Sequence, residues 1–307
     1  MKIVLLDALT FGATDLSVFN TLGEVEVYQT TATDETVHRI TDATVIVTNK
    51  VVITKEFMEE AKELKLICIA ATGMNNVDLN AAKELGIEVK NVAGYSTDSV
   101  VQHTFSMLFY LLGHSRYYDE SVKSGAYSKS KIFTDVSQPF FELKGKKWGI
   151  IGLGAIGHGV ATIATAFGAE VVYFSTSGVK RDEPYKSVDL DELLETCDII
   201  TIHAPLNEKT DNLLDYEALS RCKEGATILN LGRGGIINEE AVAKIVDEKN
   251  LFFGLDVLTK EPMREDHPLL NVRDSDNLYI TPHIAWTSVE ARDKLIASVA
   301  QNIKESF

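Results

Sequence analysis

From residue 146 onward, six short runs rich in β-branched and aromatic residues recur along the chain: KKWGIIG, AEVVYFS, DIITIHA, ATILNLG, LFFGLDV and NLYITPH. Segments with apolar positions at helical spacing separate them, AIGHGVATIATAF, DLDELLETC, DYEALSRC and NEEAVAKIVDEKN among them. The last opens on Asn238, a cap-type residue ahead of two acidic ones. Strands alternating with helices predict a parallel sheet, and two sets of three such strands predict an open, doubly wound α/β domain. The N-terminal part shows the same alternation more loosely, through KIVLLDA, EVEVYQ, ATVIVTN, LKLICIAA and IEVKNV. It predicts a second α/β domain.

Between the two lies TDSVVQHTFSMLFYLLGHSRYYDESVKSG, which predicts one long helix with Val101, Phe105, Leu108 and Leu112 on its apolar face, running from one domain to the other. The next segment, AYSKSKIFTDVSQPFFELKG, has no period and several aromatics; it is either an arm over a second subunit or a strap on its own chain. Near the C-terminus, TSVEARDKLIASVAQNIKE predicts a helix opened by a capping box at Thr287 and Glu290, with Val289, Ile296, Val299 and Ile303 apolar. That helix is expected to return to the N-terminal domain. The expected domains are therefore 1–98 completed by 286–307, and 99–285.

Composition narrows the classes. The 307 residues are 45% hydrophobic, enough for two packed cores, and the formal charge of −15 argues against a nucleic-acid groove or an anionic membrane as partner. With no apolar stretch long enough to span a bilayer and a short, Asp7-interrupted apolar run at the start, a soluble cytoplasmic protein is the expectation. Cys68, Cys197 and Cys222 have no C-x-x-C spacing and read as reduced structural thiols, and no metal site is expected.

In a doubly wound sheet the ligand lies beyond the carboxyl ends of the strands, so the residues delivered there carry the chemistry. The first strand leads into GLGAIG, a G-x-G-x-x-G turn between a strand and a helix, and this context makes the motif strong. Gly152 would make the turn, Gly154 would admit a pyrophosphate, and Gly157 would let helix and strand pack closely, with the helix N-terminus at Ala155 and Ile156 favouring negative charge. Later strands deliver His203 and Pro205, Arg233, Asp256 with Glu261, and His283. Arginine offers a planar fork for a carboxylate, and an imidazole beside a carboxylate can give and take a proton; an anchor, an acid and a hydride source are what reduction of a 2-oxo acid requires. Taken singly, each of these residues also has a purely structural reading. His38, His114, His158 and His267 have no partner legible in the sequence, and His103 reads as a packed helix residue.

GLGAIG, HAPLNEKT, NLGRGGIINEEA, LDVLTKEP and TPHIAW, with ATGMNNVDLNAAKELGIEVKNVAGYSTDSVVQHT before them, resemble the D-isomer-specific 2-hydroxyacid dehydrogenase family over essentially the whole chain. The resemblance implies a Rossmann dinucleotide-binding domain and a flavodoxin-like α/β substrate domain. It further implies hydride transfer between a nicotinamide and substrate C2 in a cleft between the domains, with His283 as acid and base, Glu261 as its partner and Arg233 on the substrate. By the same resemblance the amides of Gly73 and Met74 hold the substrate carboxylate, Asp256 bonds the nicotinamide carboxamide, and His203, Ala204, Pro205 and Leu206 line the adenine side. HIAWTSVEAR is similar to the hydroxypyruvate reductase and glycerate dehydrogenase branch, in which Trp286 either shapes the substrate pocket or packs at its rim. Hydroxypyruvate or glyoxylate is the first expected substrate, D-lactate and 3-phosphoglycerate are alternatives, and Glu261 argues against formate. A non-catalytic dinucleotide-sensing protein is the rival from another class. A homodimer is a family expectation.

One position departs from the family's NAD-using pattern. Roughly 20 residues after the glycine turn an acidic residue usually holds the ribose, yet here the second strand ends at Ser175, and Glu170 stands at its other end. Serine does not repel a 2′-phosphate, and Thr176, Ser177, Lys180 and Arg181 lie close by in sequence. NADP(H) is therefore a plausible cofactor alongside NAD(H), although the two cations also fit a solvated loop.

Overall fold

The computed structural model describes residues 1–178 and 182–307. The chain divides into two compact units, Met1–Ser96 with Trp286–Phe307, and Thr97–Ala285.

In the first unit, strands β1 (Lys2–Leu5), β2 (Glu24–Val27), β3 (Val45–Thr48), β4 (Leu66–Ile69) and β5 (Glu88–Lys90) form a parallel sheet in the order β2-β1-β3-β4-β5. That is the flavodoxin-like order. Every residue of β3 and β4 is buried, as central strands covered on both faces require. Helices α1 (Thr33–Ile40), α2 (Lys55–Glu60) and α3 (Leu79–Glu84) lie among this unit's connections. Met58, Ala81 and Ala82 join one core layer, with Ile46 and Ile67. The other layer takes Leu295, Ile296, Val299 and Ile303 from the last helix against Val45 and Leu66. Asp7 ties the end of β1 to that of β3: its carboxylate accepts the amides of Asn49 (2.9 Å) and Lys50 (2.6 Å) beyond β3.

The second unit opens with α4 (Thr97–Leu112) and α5 (Ser115–Lys123). The long helix expected over this stretch is thus two, because Gly113 weakens the helix and His114, at φ 45°, turns the chain in the left-handed region. Strands β6 (Lys147–Ile151), β7 (Glu170–Phe174), β8 (Lys186–Ser187), β9 (Ile199–Ile202), β10 (Thr227–Asn230), β11 (Phe252–Leu255) and β12 (Leu278–Ile280) follow, all parallel, in the order β12-β11-β10-β9-β6-β7-β8. The six expected strands are present, but not as two sets of three. The two-residue β8 is the third strand of the doubly wound order, and DIITIHA is the fourth. Helices α6 (Ala155–Ala166), α7 (Leu190–Thr196), α8 (Tyr216–Arg221) and α9 (Glu239–Ile245) cross between strands. Caps set the starts of the last three: Asp189, Asp215 and Asn238 each accept the amide three residues on, at 2.7 to 2.9 Å.

The last helix, α10 (Val289–Ser306), belongs to the first unit. Its cap is Ser288, which accepts the Ala291 amide at 3.2 Å, one residue later than the expected box at Thr287. Apolar burial lifts the thiols of Cys68, Cys197 and Cys222 to about 12, 11 and 12, so all three stay protonated near neutral pH. Among the described residues no helix is long and apolar enough to cross a membrane.

Candidate functional site

β6 lies inside the second sheet, with β7 on one side and β9 on the other, so the strand order reverses around it. The crevice such a reversal opens lies beyond the carboxyl ends of β6 and β9. A cavity of about 270 Å³ occurs there, lined by Gly152 and Gly154 after β6, Ser175, Thr176 and Ser177 after β7, and His203 and Pro205 after β9. Gly154 on its lining is the N-cap of α6, where the amides of Ala155, Ile156 and Gly157 have no preceding turn to bond within the helix. No side chain of Gly154 intrudes, and a Cβ built there would meet nothing within 4 Å. Ala204 backs the turn: its backbone nitrogen would stand 2.9 Å from a Cβ at Gly152.

His203 adds a second mark of a ligand site. Both ring nitrogens are sealed from solvent and neither has a hydrogen-bond partner, while burial pushes the imidazole down to about 3. An unpaired buried polar group is costly unless something supplies the missing bond. Amide donors at a helix N-terminus, an open approach at Gly154 and an unpaired ring are a donor set that fits a dinucleotide. A larger cavity, about 470 Å³, lies at the amino ends of β10 and β11 beside α4 and takes in none of the motif residues.

Beyond β10, Arg233 is exposed and donates from Nη1 to the Gly232 carbonyl at 2.8 Å. Buried Asn230 braces this turn, donating to the Arg233 carbonyl (2.8 Å) and accepting the Gly232 amide (3.1 Å). A Cβ at Gly234 would overlap the Leu258 carbonyl, so glycine lets the Arg233 turn approach the segment leading to Glu261. Glu261 accepts the Leu258 amide at 2.9 Å with one oxygen and meets His283 Nδ1 at 2.7 Å with the other. An ionised carboxylate only accepts, so Nδ1 carries the proton and Nε2 is left for another partner. His283 sits at φ 55°, strained for a residue with a Cβ; its amide donates to the carbonyls of Asp256 (2.8 Å) and Thr281 (2.9 Å).

The remaining expected site residues are dispersed over both units. Asp256 does not present itself to a nicotinamide carboxamide: its side chain is 1% exposed, and its carboxylate is taken by Thr281 Oγ1 (2.6 Å) and the amides of Ile284 (2.8 Å) and Ala285 (3.0 Å). Its place is inside the turn that carries His283. Trp286 lies in the first unit, edge-on to Tyr95 at 6.2 Å and packed on that unit's core. Gly73 and Met74 follow β4 in the same unit, and among the described residues their amides donate to no protein acceptor. Lys180 and Arg181 lie outside the described residues. Histidines without a legible partner find one: His267 Nε2 meets Glu239 at 2.8 Å, His158 Nε2 meets Glu183 at 2.7 Å, and His114 Nε2 meets the Pro139 carbonyl at 3.1 Å. Glu239 also accepts from the Thr259 amide and hydroxyl, tying α9 to the segment that leads to Glu261. No sequence signal links these pairs, which are 25 to 28 residues apart.

Residues 105–285 match the family described as D-isomer specific 2-hydroxyacid dehydrogenase, NAD binding domain. The chain is 36% identical to a hydroxypyruvate reductase of Blautia hydrogenotrophica, covering 99% of this chain and 96% of that one. It is 34% identical to a glycerate dehydrogenase of Methylorubrum extorquens, covering 99% and 95%. Among solved structures, an acyclic imino acid reductase in complex with NADPH and D-Arg superposes with a TM-score of 0.87 at 30% identity, covering 99% and 96%. The glycine turn, the Arg233 turn and the Glu261–His283 pair all fall within the matched stretch, and this chain belongs to the D-isomer-specific 2-hydroxyacid dehydrogenase family.

Proposed function

We propose that this chain reduces a small 2-oxo acid, hydroxypyruvate or glyoxylate, to the D-2-hydroxy acid, with NADPH as well as NADH as reductant. Membership of the family makes it a nicotinamide-dependent oxidoreductase of 2-hydroxy and 2-oxo acids. A bound reduced nicotinamide supplies the hydride. The observation that carries the rest is the Glu261–His283 pair at 2.7 Å. With Nδ1 committed to Glu261, the Nε2 proton is the one His283 gives to the C2 oxygen as it becomes an alkoxide, and Glu261 stabilises the imidazolium required for that transfer. Arg233, exposed and without a carboxylate partner among the described residues, offers its fork to the substrate carboxylate.

Support for NADPH comes from Ser175 on the cavity wall, where an acidic side chain would repel a 2′-phosphate, and from the NADPH held by the imino acid reductase relative. The branch resemblance of HIAWTSVEAR and the names of the two enzyme relatives support hydroxypyruvate or glyoxylate. A homodimer is part of the proposal: Phe133 is 89% exposed and Phe140 65%, apolar surface suited to cover by a second copy.

The test is steady-state oxidation of NADH and NADPH with hydroxypyruvate, glyoxylate, pyruvate and 3-phosphohydroxypyruvate. Highest kcat/KM with either of the first two supports the proposal; no turnover with any 2-oxo acid overturns the enzyme reading in favour of a dinucleotide sensor. His283→Ala should lose about two to four powers of ten in turnover while binding cofactor normally.

A further inference from the structure

His283 is held in a left-handed backbone conformation that no residue with a Cβ adopts without cost. Something must over-determine it, and the turn 281–285 shows what does. The turn wraps Asp256, whose carbonyl accepts the His283 amide and whose carboxylate accepts the Ile284 and Ala285 amides, the two that follow the strained residue. Thr281, 5% exposed, closes the wrap by donating its hydroxyl to Asp256 Oδ1 at 2.6 Å.

From outside the turn, α4 reaches in. His103 Nε2 stands 3.2 Å from Thr281 Oγ1 and 3.6 Å from Asp256 Oδ1. Ser99, one helical turn earlier and on the same face, donates to the Ala285 carbonyl at 2.6 Å. Thr281 has one hydroxyl proton and its carboxylate neighbour accepts only, so the proton goes to Asp256 and the oxygen accepts from His103. The direction of the whole relay follows: His103 Nε2–H to Thr281, Thr281 O–H to Asp256, with the backbone amides of the turn on the remaining acceptor sites. Burial holds the His103 imidazole below its ordinary value, against the pull of Asp256, which suits the neutral Nε2–H form that the relay uses.

We propose that His103 is a positioning residue, the head of a buried His103–Thr281–Asp256 relay that holds the 281–285 turn in the conformation from which His283 transfers its proton. The proposal rests on the reading of His283 as the proton donor. His103 faces Thr281 and Asp256 while Glu261 holds the His283 ring, so any effect of His103 on His283 passes through the Thr281–Asp256 pair and the turn. Without its donor, the Thr281 oxygen loses the bond that anchors it to α4, Asp256 loses the imidazole 3.6 Å away, and the turn is free to relax toward ordinary backbone geometry. The cost then falls on the step that needs His283 aligned and not on cofactor affinity, because the cavity beside the glycine turn is lined by other residues.

The test compares His103→Leu, which removes the donor, with His103→Gln, whose amide can donate at similar reach, in the full-length chain. Expected is a fall in kcat of roughly tenfold or more for His103→Leu with the NADH Kd changed by less than about threefold, and recovery to within about threefold of wild type for His103→Gln. Thr281→Val should fall by a similar factor, and His103→Leu with Thr281→Val should be no worse than the poorer single variant, since both break one relay. Wild-type kcat in His103→Leu, equal damage from Leu and Gln, or losses that multiply in the double variant would each overturn the proposal. His283→Ala assayed in parallel separates the two readings. If it retains turnover, the proton-donor assignment itself fails; if it is inactive while His103→Leu is normal, only the relay fails.

Discussion

Two glycines of one motif should fail in different ways when each gains a single methyl group. At Gly157 a Cβ would stand 2.5 Å from the Gly152 carbonyl oxygen and 3.3 Å from Ile150 Cγ2, against a buried turn and strand that cannot move aside cheaply. Overpacking of this kind costs about 2–3 kcal/mol. For a unit of this size, that lowers Tm by roughly 4–12 °C. At Gly154 the backbone has φ −89° and ψ −163°, extended geometry open to alanine, and a Cβ would meet no protein atom within 4 Å. Alanine there loses some N-cap preference but restricts the unfolded chain, terms of about 0.5–1 kcal/mol each and opposite in sign. Its Tm should stay within about 3 °C of wild type. The same methyl group occupies the open approach to the first-turn amides, so a pyrophosphate would forfeit about 2 kcal/mol of charge-assisted bonding, near thirtyfold in Kd. Differential scanning calorimetry and titration calorimetry with NADH and NADPH read the two effects separately. A Gly154→Ala variant that binds cofactor as tightly as wild type would refute the placement of the phosphates.

Ser175→Asp should raise the KM for NADPH, since a carboxylate about 5 Å from a 2′-phosphate in a partly solvated pocket opposes it by about 2 kcal/mol; an unchanged NADPH to NADH ratio would count against Ser175 as the selecting position. Arg233→Lys should keep the charge but lose the fork, raising the 2-oxo acid KM by roughly ten- to a hundredfold with cofactor binding intact, as steady-state kinetics would show. For His203, burial puts the folded-state value at about 3, below that of the unfolded chain. The unfolded state therefore takes up a proton first as pH falls, so this group leaves stability unaffected above about pH 6.5 and erodes it progressively between there and about pH 3. Chemical denaturation of wild type against His203→Phe should show the variant losing less stability over that window, and parallel curves would contradict the assignment.

Much of this site is legible in the amino-acid sequence. The glycine turn stands out because a strand, a G-x-G-x-x-G and a helix are contiguous, and Arg233, Glu261 and His283 because each follows a strand of a parallel sheet, which sends all of them to one edge. The branch assignment comes from the residues after His283. Asp256 shows where such reading stops. A carboxylate at a strand end is equally a ligand contact and a structural acceptor, and only the position of Thr281, Ile284 and Ala285 around it decides that it holds the turn. The expected long helix breaks at Gly113 and His114, a local change in backbone geometry just past the apolar face that ends at Leu112, so the period of that face does not register it.

Local order along the chain settles whatever depends on near neighbours: the alternation of strand and helix, the anion-binding turn, the residues each strand end presents, and the missing acid at Ser175. Folding in three dimensions supplies the pairings between distant segments, His103 with Thr281, Glu239 with His267 and His158 with Glu183. A hydrogen bond needs its two atoms near 3 Å apart with donor and acceptor aligned, a condition the intervening chain does not encode locally. It is met only when the sheet has folded and brought 28 or 178 residues of separation down to one contact.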